Sequence, residues 1–249
     1  AAAVLALSAS LLVGCSSGTA SSVPVSASSA AESTVSSVEE TASSAVDENE
    51  AAAAQLLNDL TGSYQELWPV ILADEYKQTW LDDCTALVGE DNAEAAFEKL
   101  SSMVTGDVYG EDAVKAYANG GGAYFCGFTN SLATLTFDGE TSTISGTDKD
   151  GNVLFSHTYH YIGMEPVRGL YEFESDDADS GEVTYFFLAP DTSAETYHIE
   201  FRYGSDADAL SQYDAGDYAY WVASGISTDC DQTMIDNCIE LFCTENLAD

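Results

Sequence analysis

The strongest candidate for chemistry is a histidine and a glutamate two positions apart, His198 and Glu200, within a segment rich in Ile, Phe and Tyr. Side chains at alternate positions of a β-strand point to the same face, so both would face one way if this segment is a strand. Neutral imidazole and carboxylate are ordinary zinc ligands, and open zinc sites commonly use three protein ligands and a water molecule. The pair therefore predicts two ligands for zinc or a similar divalent cation.

A third ligand has to come from another part of the chain. The sequence offers His160, two strands or so away, and Asp191 in the connection that precedes the pair. His157 lies three positions from His160, so the two should point to opposite faces of a regular strand. The alternative is that His198 and Glu200 are ordinary polar groups on a surface or a barrel lining.

The sequence contains no pattern typical of a catalytic site. Gly-x-Ser-x-Gly, His-Glu-x-x-His and a phosphate-binding loop are all absent from it. The chain has 3 histidines, all in the region that we predict to be strands, and no nucleophile–base pair stands out. We therefore expect a protein that is not an enzyme.

The charge of the chain excludes two classes of partner. Its 43 acidic and 6 basic residues give a formal net charge of −37. Binding of nucleic acid requires Lys and Arg to neutralise phosphates, and docking on anionic lipids requires a basic patch. The same charge concentrates small cations near the surface, which favours a cationic ligand.

The N-terminal region reads as a targeting segment followed by a spacer. Residues 1–14 are apolar and small, too few to span a bilayer, and are similar to the apolar region of a signal peptide. They end in Leu-Val-Gly-Cys, which resembles the bacterial lipobox and predicts lipidation of Cys15. Residues 16–50 are Ser- and Ala-rich and predict a disordered spacer. We expect a lipid-anchored protein of the cell membrane that faces the extracytoplasmic side, the alternative being a secreted protein with an incidental Cys.

The elements that would position the candidate ligands begin near residue 51. Helical spacing of apolar residues predicts helices at 51–60, 74–88 and 93–104, and three glycines at 120–122 mark a break. Eight short segments rich in Tyr, Phe, Val and Thr then predict strands, at residues 123–128, 132–137, 141–146, 153–161, 169–174, 183–189, 196–203 and 218–223. A last helix at about 229–243 would be capped by Ser227 and Thr228.

Consecutive short strands of this kind predict a mainly β domain, an antiparallel meander that closes into a small barrel, over residues 51–249. Arg168 and Arg202 would close one end of the barrel by pairing with buried acids or by stacking on an aromatic ring such as Tyr64. Five cysteines remain after Cys15, without a Cys-x-x-Cys pair, so a structural zinc site is not indicated. They are either buried free thiols or form one or two disulfides outside the cell.

Two segments resemble the ZinT (YodA) family of zinc-binding domains. Residues 57–69 match its opening at Gly62, Gln65 and Pro69. Residues 188–190, Leu-Ala-Pro, are similar to its Ile-Ala-Pro, and residues 198–206 are similar to the end of its His-x-His strand. The similarity follows the domain in order, although residues 73–160 match only in their strand pattern.

The resemblance implies a calycin-like (lipocalin-like) barrel with flanking N- and C-terminal helices and a zinc site of three His near the barrel mouth. Carried over residue by residue, two of those positions are His198 and Glu200, and the third is Phe186, which cannot bind a metal. A domain of this kind would bind zinc or another divalent cation and would pass it to a metal ABC importer. The alternative is a metal-free calycin-like module that binds a small ligand or a partner protein.

Overall fold

The computed structural model describes residues 48–190 and 198–248, and an eight-stranded antiparallel barrel lies at its centre. Each strand pairs with its neighbours in sequence, and β8 pairs with β1 to close the barrel. The predicted meander, its closure and the mainly β class are therefore confirmed. The strands are β1 Gly62–Glu66, β2 Thr134–Asp138, β3 Thr143–Thr147, β4 Val153–Met164, β5 Tyr171–Ser175, β6 Tyr185–Leu188, β7 His198–Gly204 and β8 Ala223–Ser227.

Aromatic and branched side chains fill the interior of the barrel. On β7, the alternate residues Ile199, Phe201 and Tyr203 are buried in this core. Phe186 of β6 stacks on Tyr203, with ring centroids 5.3 Å apart. Burial of so many large side chains is the main favourable contribution to folding, at roughly 1.5–3 kcal/mol for each fully buried one.

Helices flank the barrel at both ends of the domain. Residues 48–59 form the first helix, α1. The others are α2 Leu67–Ile71, α3 Lys77–Val88, α4 Glu90–Val104, α5 Glu111–Ala116, α6 Ala207–Leu210 and α7 Gln232–Leu247, with short 3₁₀ turns at Asp74–Tyr76 and Gly181–Val183. Gly89, at φ +83°, separates α3 from α4 in a conformation that glycine adopts readily.

A second hydrophobic core lies outside the barrel. It joins α2, α3, α4 and α7 to the outer face of β8, where Ile226 is fully buried. Trp80 of α3 packs between Phe97 of α4 and Phe242 of α7, at 5.7 and 6.0 Å between ring centroids. The last helix is therefore held against the barrel wall by the helices that precede the strands in sequence.

One strand assigned from the sequence was wrong, and one strand of the barrel was missed. Residues 123–128 form only isolated bridges of Phe125 with Thr105 and Trp221, and their backbone hydrogen-bonds to residues 220–224. The strand that completes the barrel is β1, Gly62–Glu66, which comes directly before the apolar helix that contains Pro69. Residues 123–128 are apolar because the two cores cover them, although they do not pair as a strand of the barrel. Composition alone could not distinguish a buried irregular segment from a paired strand.

The C-terminal boundaries also differ from the sequence prediction. β8 begins at Ala223, where the predicted strand ends, because Tyr220 has a positive φ of 57° that interrupts extended backbone. Ser227 therefore belongs to β8, and the N-cap of α7 is Asp231, whose carboxylate accepts a hydrogen bond from the Met234 amide at 3.0 Å.

Several predicted features lie outside the described residues: the signal segment, Cys15, the spacer up to residue 47, and Asp191. Residues 48–50, which composition assigned to the spacer, are helical. Within the described part of the chain, no helix combines the length and the apolar composition that crossing a membrane requires.

Candidate metal centre

His198 and Glu200 lie on the outer face of the barrel wall. The residues of β7 that alternate with them, Ile199 and Phe201, are in the barrel core, so the two polar side chains face outward together. Both are partly buried. The structure thus brings the predicted pair to one face of one strand, as the spacing requires.

A small cleft of about 30 Å³ opens beside this pair. Its walls come from β7, from α2 and from α7, and α7 contributes Cys238 and Glu245. A cavity needs roughly 10–15 Å³ to hold one water molecule, so this cleft has room for a bound ion or one or two waters. The remaining lining residues are Leu67, Trp68, Ile71, Leu241 and Phe242.

Buried thiols near the pair are protonated at neutral pH. Burial raises the pKa of Cys238 to about 12. Burial and then the charge of Glu200 raise the pKa of Cys126 to about 12. The groups that can ligate a cation here without losing a proton first are therefore an imidazole and carboxylates.

Across residues 48–190 and 198–248, no three His, Cys, Asp or Glu side chains are already grouped so that they could hold a metal ion. Glu245 is exposed near the C-terminal end of α7 and lines the cleft. The cleft therefore presents two side chains on a rigid strand and a third on the helix across from them.

His160 lies elsewhere on the barrel. Strand register shows how far away it is. His160 pairs with Glu174 of β5, and Glu174 pairs with Tyr185 of β6. Tyr185 in turn pairs with Gly204 of β7. Gly204 is six positions from His198, or about 20 Å along the strand at ~3.3 Å per residue. The structure does not bring His160 to the pair.

The other two histidines each contact an aspartate. The Nδ1 atom of His160 lies 2.7 Å from Asp176, and the Nδ1 atom of His157 lies 2.8 Å from Asp177. His157 and His160 are on opposite faces of β4, because His157 stacks on Phe155 and meets the Tyr159 ring edge-on toward the interior. The alternation predicted from their spacing is present.

The third position implied by the family resemblance points away from the pair. Phe186 is fully buried inside the barrel, whereas His198 and Glu200 lie on its outside. Even a ligating side chain at position 186 would face the interior. A third ligand at this cleft must come from a helix or a connection.

Sequence reasoning missed Glu245 and Cys238. Both lie in a helix far along the chain from β7, and neither belongs to a pattern with ligand spacing. Only the packing of α7 against the barrel wall places them at the cleft.

A larger and more apolar cleft, of about 330 Å³, lies on the same side of the barrel. It is lined by Glu66 at the end of β1, by Trp68 and Pro69 of α2, and by residues 104–106 and 125–127. The Glu66 carboxylate accepts a 2.6 Å hydrogen bond from the Phe128 amide. Side chains of the hydrophobic core fill the described interior of the barrel, and this cleft is the larger of the two outer clefts.

Comparison with known proteins gives a limited set of relatives. No protein-family model matches the sequence, and a search of curated proteins finds no match. Among solved structures, the search finds the crystal structure of the Zn(II)-bound ZinT-like domain of AdcA from Streptococcus pneumoniae, with 14% identity and a TM-score of 0.47, over 74% of this chain and 89% of that one. It also finds Zn(II)-bound AdcA from the same organism, with 15% identity and a TM-score of 0.43, over 75% of this chain and 35% of that one.

The structural search thus returns the kind of domain that the sequence motifs resemble. The fold of this chain is established by its own strand pairing, described above.

Proposed function

We propose that this domain is a non-enzymatic binding protein for zinc or a similar divalent cation, and that the cation binds in the cleft beside β7. The observation that carries the proposal is that His198 and Glu200 face the same small cleft as Glu245, on the outside of a rigid barrel. An imidazole with carboxylates is a donor set that zinc accepts.

In this proposal, Glu245 supplies the third side chain. It is exposed on α7 and lines the cleft, so a rotamer change suffices to bring its carboxylate toward the pair. A site with one nitrogen ligand should bind zinc more weakly than a site of three His, because imidazole is a stronger zinc ligand than carboxylate. The chain's net charge of −37 favours the approach of a cation without contributing ligands.

The test is a calorimetric titration of the metal-stripped protein with Zn²⁺. We expect His198→Ala to weaken zinc binding by at least tenfold, which corresponds to about 1.4 kcal/mol. Glu245→Gln should also weaken it, because the amide carries no charge. The matched control is His160→Ala, which removes an imidazole from the same barrel far from the cleft and should leave the affinity unchanged.

Two results would contradict this assignment. The first is zinc binding no tighter than about millimolar by the unaltered protein. The second is equal binding by the unaltered protein and His198→Ala. If only His160→Ala lost zinc binding, the zinc site would have to be assigned to β4.

We further propose that the protein acts outside the cell membrane, held there by a lipid on Cys15. The support is the apolar segment that ends in Leu-Val-Gly-Cys and the polar spacer of residues 16–50 that follows it. Delivery of the ion to an importer stays a prediction from the family resemblance.

A second candidate function is supported by the 330 Å³ cleft. Its apolar lining and single carboxylate, Glu66, suit a small apolar ligand that carries a positive or hydrogen-bond-donating group. This is the metal-free binding module that the sequence left open, with the ligand outside the barrel rather than inside it.

A further inference from the structure

Two buried cysteines from helices far apart in sequence meet in the outer core. Cys84 lies in α3 and Cys243 in α7, and their Sγ atoms are 3.9 Å apart. Both residues are fully buried, and α3 and α7 pack against each other around them. Both belong to the five cysteines in the described residues, and their sulfur atoms are within contact distance of each other.

We propose that Cys84 and Cys243 are a disulfide-forming pair that joins α3 to α7. An S–S bond is about 2.05 Å long, so the sulfur atoms must approach by about 1.9 Å. Rotation about χ1 of either cysteine moves its sulfur by more than this, and both side chains already point toward the same space. Closure therefore requires the two side chains to rotate toward each other.

The reaction is exchange with a small disulfide oxidant, such as oxidised glutathione. The thiolate of one cysteine attacks the oxidant, forms a mixed disulfide and releases one small thiol. The second cysteine then displaces the other small thiol. The two protein thiols lose two protons and two electrons in total, and the oxidant takes these up as two thiols.

Burial determines when this reaction occurs. Both sulfur atoms lie in fully buried residues, and burial raises the pKa of Cys84. Thiolate is the reactive species, so exchange in the closed native state is slow. The bond forms while the chain folds, before α7 covers the sulfurs, and it is then protected from reductants.

The crosslink would fix the helix that forms one wall of the small cleft. Cys243 is two residues before Glu245, and the pair lies 159 residues apart in the chain. A disulfide over so long a loop restricts the unfolded chain strongly. The inference does not depend on whether a metal binds, because it concerns only the packing of α3 on α7.

The experiment is refolding of the full reduced chain in a glutathione redox buffer, followed by alkylation and digestion at glutamates. The chain has only 6 basic residues, so cleavage after glutamate is more useful than cleavage after Lys or Arg. It isolates Cys84 in residues 76–90, Cys243 in residues 241–245, and Cys230 with Cys238 in residues 201–240. We expect residues 76–90 to be recovered crosslinked to residues 241–245.

Thermal unfolding gives a second measurement. Addition of reductant before refolding should lower the midpoint of the unaltered protein by roughly 5 °C or more. The same treatment should leave Cys84→Ala unchanged, whereas the control Cys126→Ala should respond like the unaltered protein.

Recovery of both peptides with alkylated thiols after oxidative refolding would overturn the proposal. Crosslinking of either one to residues 201–240 would also overturn it. The peptide result is obtained on the unaltered protein, so a variant that fails to fold does not affect it.

Discussion

At the scale of single residues, the most unusual environment is that of Arg202. Its guanidinium is fully buried on the outer face of β7 and donates hydrogen bonds to the carbonyl oxygens of Leu210, Gln212 and Tyr218. It lies 4.3 Å from the centre of the Tyr213 ring, and Arg168 lies over the same ring at 4.2 Å. The arginines thus stack on an aromatic ring, as the sequence predicted, although the ring is Tyr213 and not Tyr64.

This arrangement holds an irregular segment onto the barrel. Burial lowers the pKa of Arg202, and the nearby Tyr213 opposes that effect. The carbonyl groups of Leu210, Gln212 and Tyr218 lie outside the strands, and the guanidinium supplies their hydrogen-bond donor. The contribution of Arg202 is therefore structural, through buried acceptors that would otherwise lose their donors.

We predict that Arg202→Met lowers the free energy of unfolding by about 3 kcal/mol, because buried carbonyl oxygens then lose a charged donor. Arg168→Met, which loses a contact over the same ring, should cost about 1 kcal/mol or less. Urea unfolding of the two variants measures the difference. An equal loss of unfolding free energy in the two variants would show that the contact with the Tyr213 ring, and not the hydrogen bonds to the carbonyl oxygens, accounts for the stabilisation.

At the scale of elements, the contact between α3 and α7 brings like charges together. Burial and the charges of Glu240, Asp236 and Asp82 raise the pKa of Asp83 above its usual 3.8. Glu240 and Asp236 belong to α7, so the repulsion acts between the two helices. The helices pack because Trp80, Cys84 and Ile239 are buried between them, in spite of the charge.

We predict that Asp83→Asn stabilises the protein at pH 7 by roughly 0.5 kcal/mol, the scale of a solvent-screened charge interaction. The pKa of Asp83 is raised in the folded state, so the folded protein takes up this proton before the unfolded chain does as the pH falls. The ionised Asp83 carboxylate therefore lowers the free energy of unfolding by its full amount above the pKa of the folded state. This loss of stability disappears below the pKa of the unfolded chain, near 3.8. The gain of the variant should shrink over the same window.

The control for this prediction is Asp82→Asn. Asp82 is exposed and accepts a 2.9 Å hydrogen bond from Gln78 within the same helix. Its charge is the last and smallest of the causes that raise the pKa of Asp83, so we expect Asp82→Asn to give a smaller gain than Asp83→Asn. The measurement is the free energy of unfolding of both variants by chemical denaturant at pH 7 and pH 4. A gain for Asp83→Asn that is independent of pH would contradict the electrostatic cause.

At the scale of the whole molecule, there are two hydrophobic cores, one inside the barrel and one between the barrel and the helices. The barrel interior is filled by aromatic side chains, which leaves the outer wall between β7, α2 and α7 as the place for the candidate site. The helices cover this wall incompletely, and the two clefts are the gaps that remain beside Trp68. The position of a ligand is thus determined by how the helices pack on the barrel.

The proposed lipid anchor is also a property of the whole molecule. We predict that Cys15→Ser moves the protein from the membrane fraction to the soluble fraction of expressing cells, because no lipid can then be attached. The folded domain should keep the thermal midpoint of the unaltered protein, which serves as the control. A variant that stays with the membranes would exclude Cys15 as the attachment point.

The sequence by itself determined the class of the fold and the fact that His198 and Glu200 share one face of their strand. Alternation of Ile199, Phe201 and Tyr203 with polar residues places His198 and Glu200 on one face, since the period of a strand is two whatever surrounds it. Turns between short strands also predicted the barrel. Local patterns of this kind depend only on neighbours along the chain.

Tertiary structure alone decided which strand closes the barrel, which face of the wall holds the pair, and what lies opposite it. Gly62–Glu66 is a strand because it meets both β2 and β8, and residues 123–128 are not one because the cores cover them. Glu245 reaches the cleft, and Cys84 reaches Cys243, only through the packing of α7. Contacts between residues distant in the chain leave no periodic pattern in it, so the sequence could not predict them.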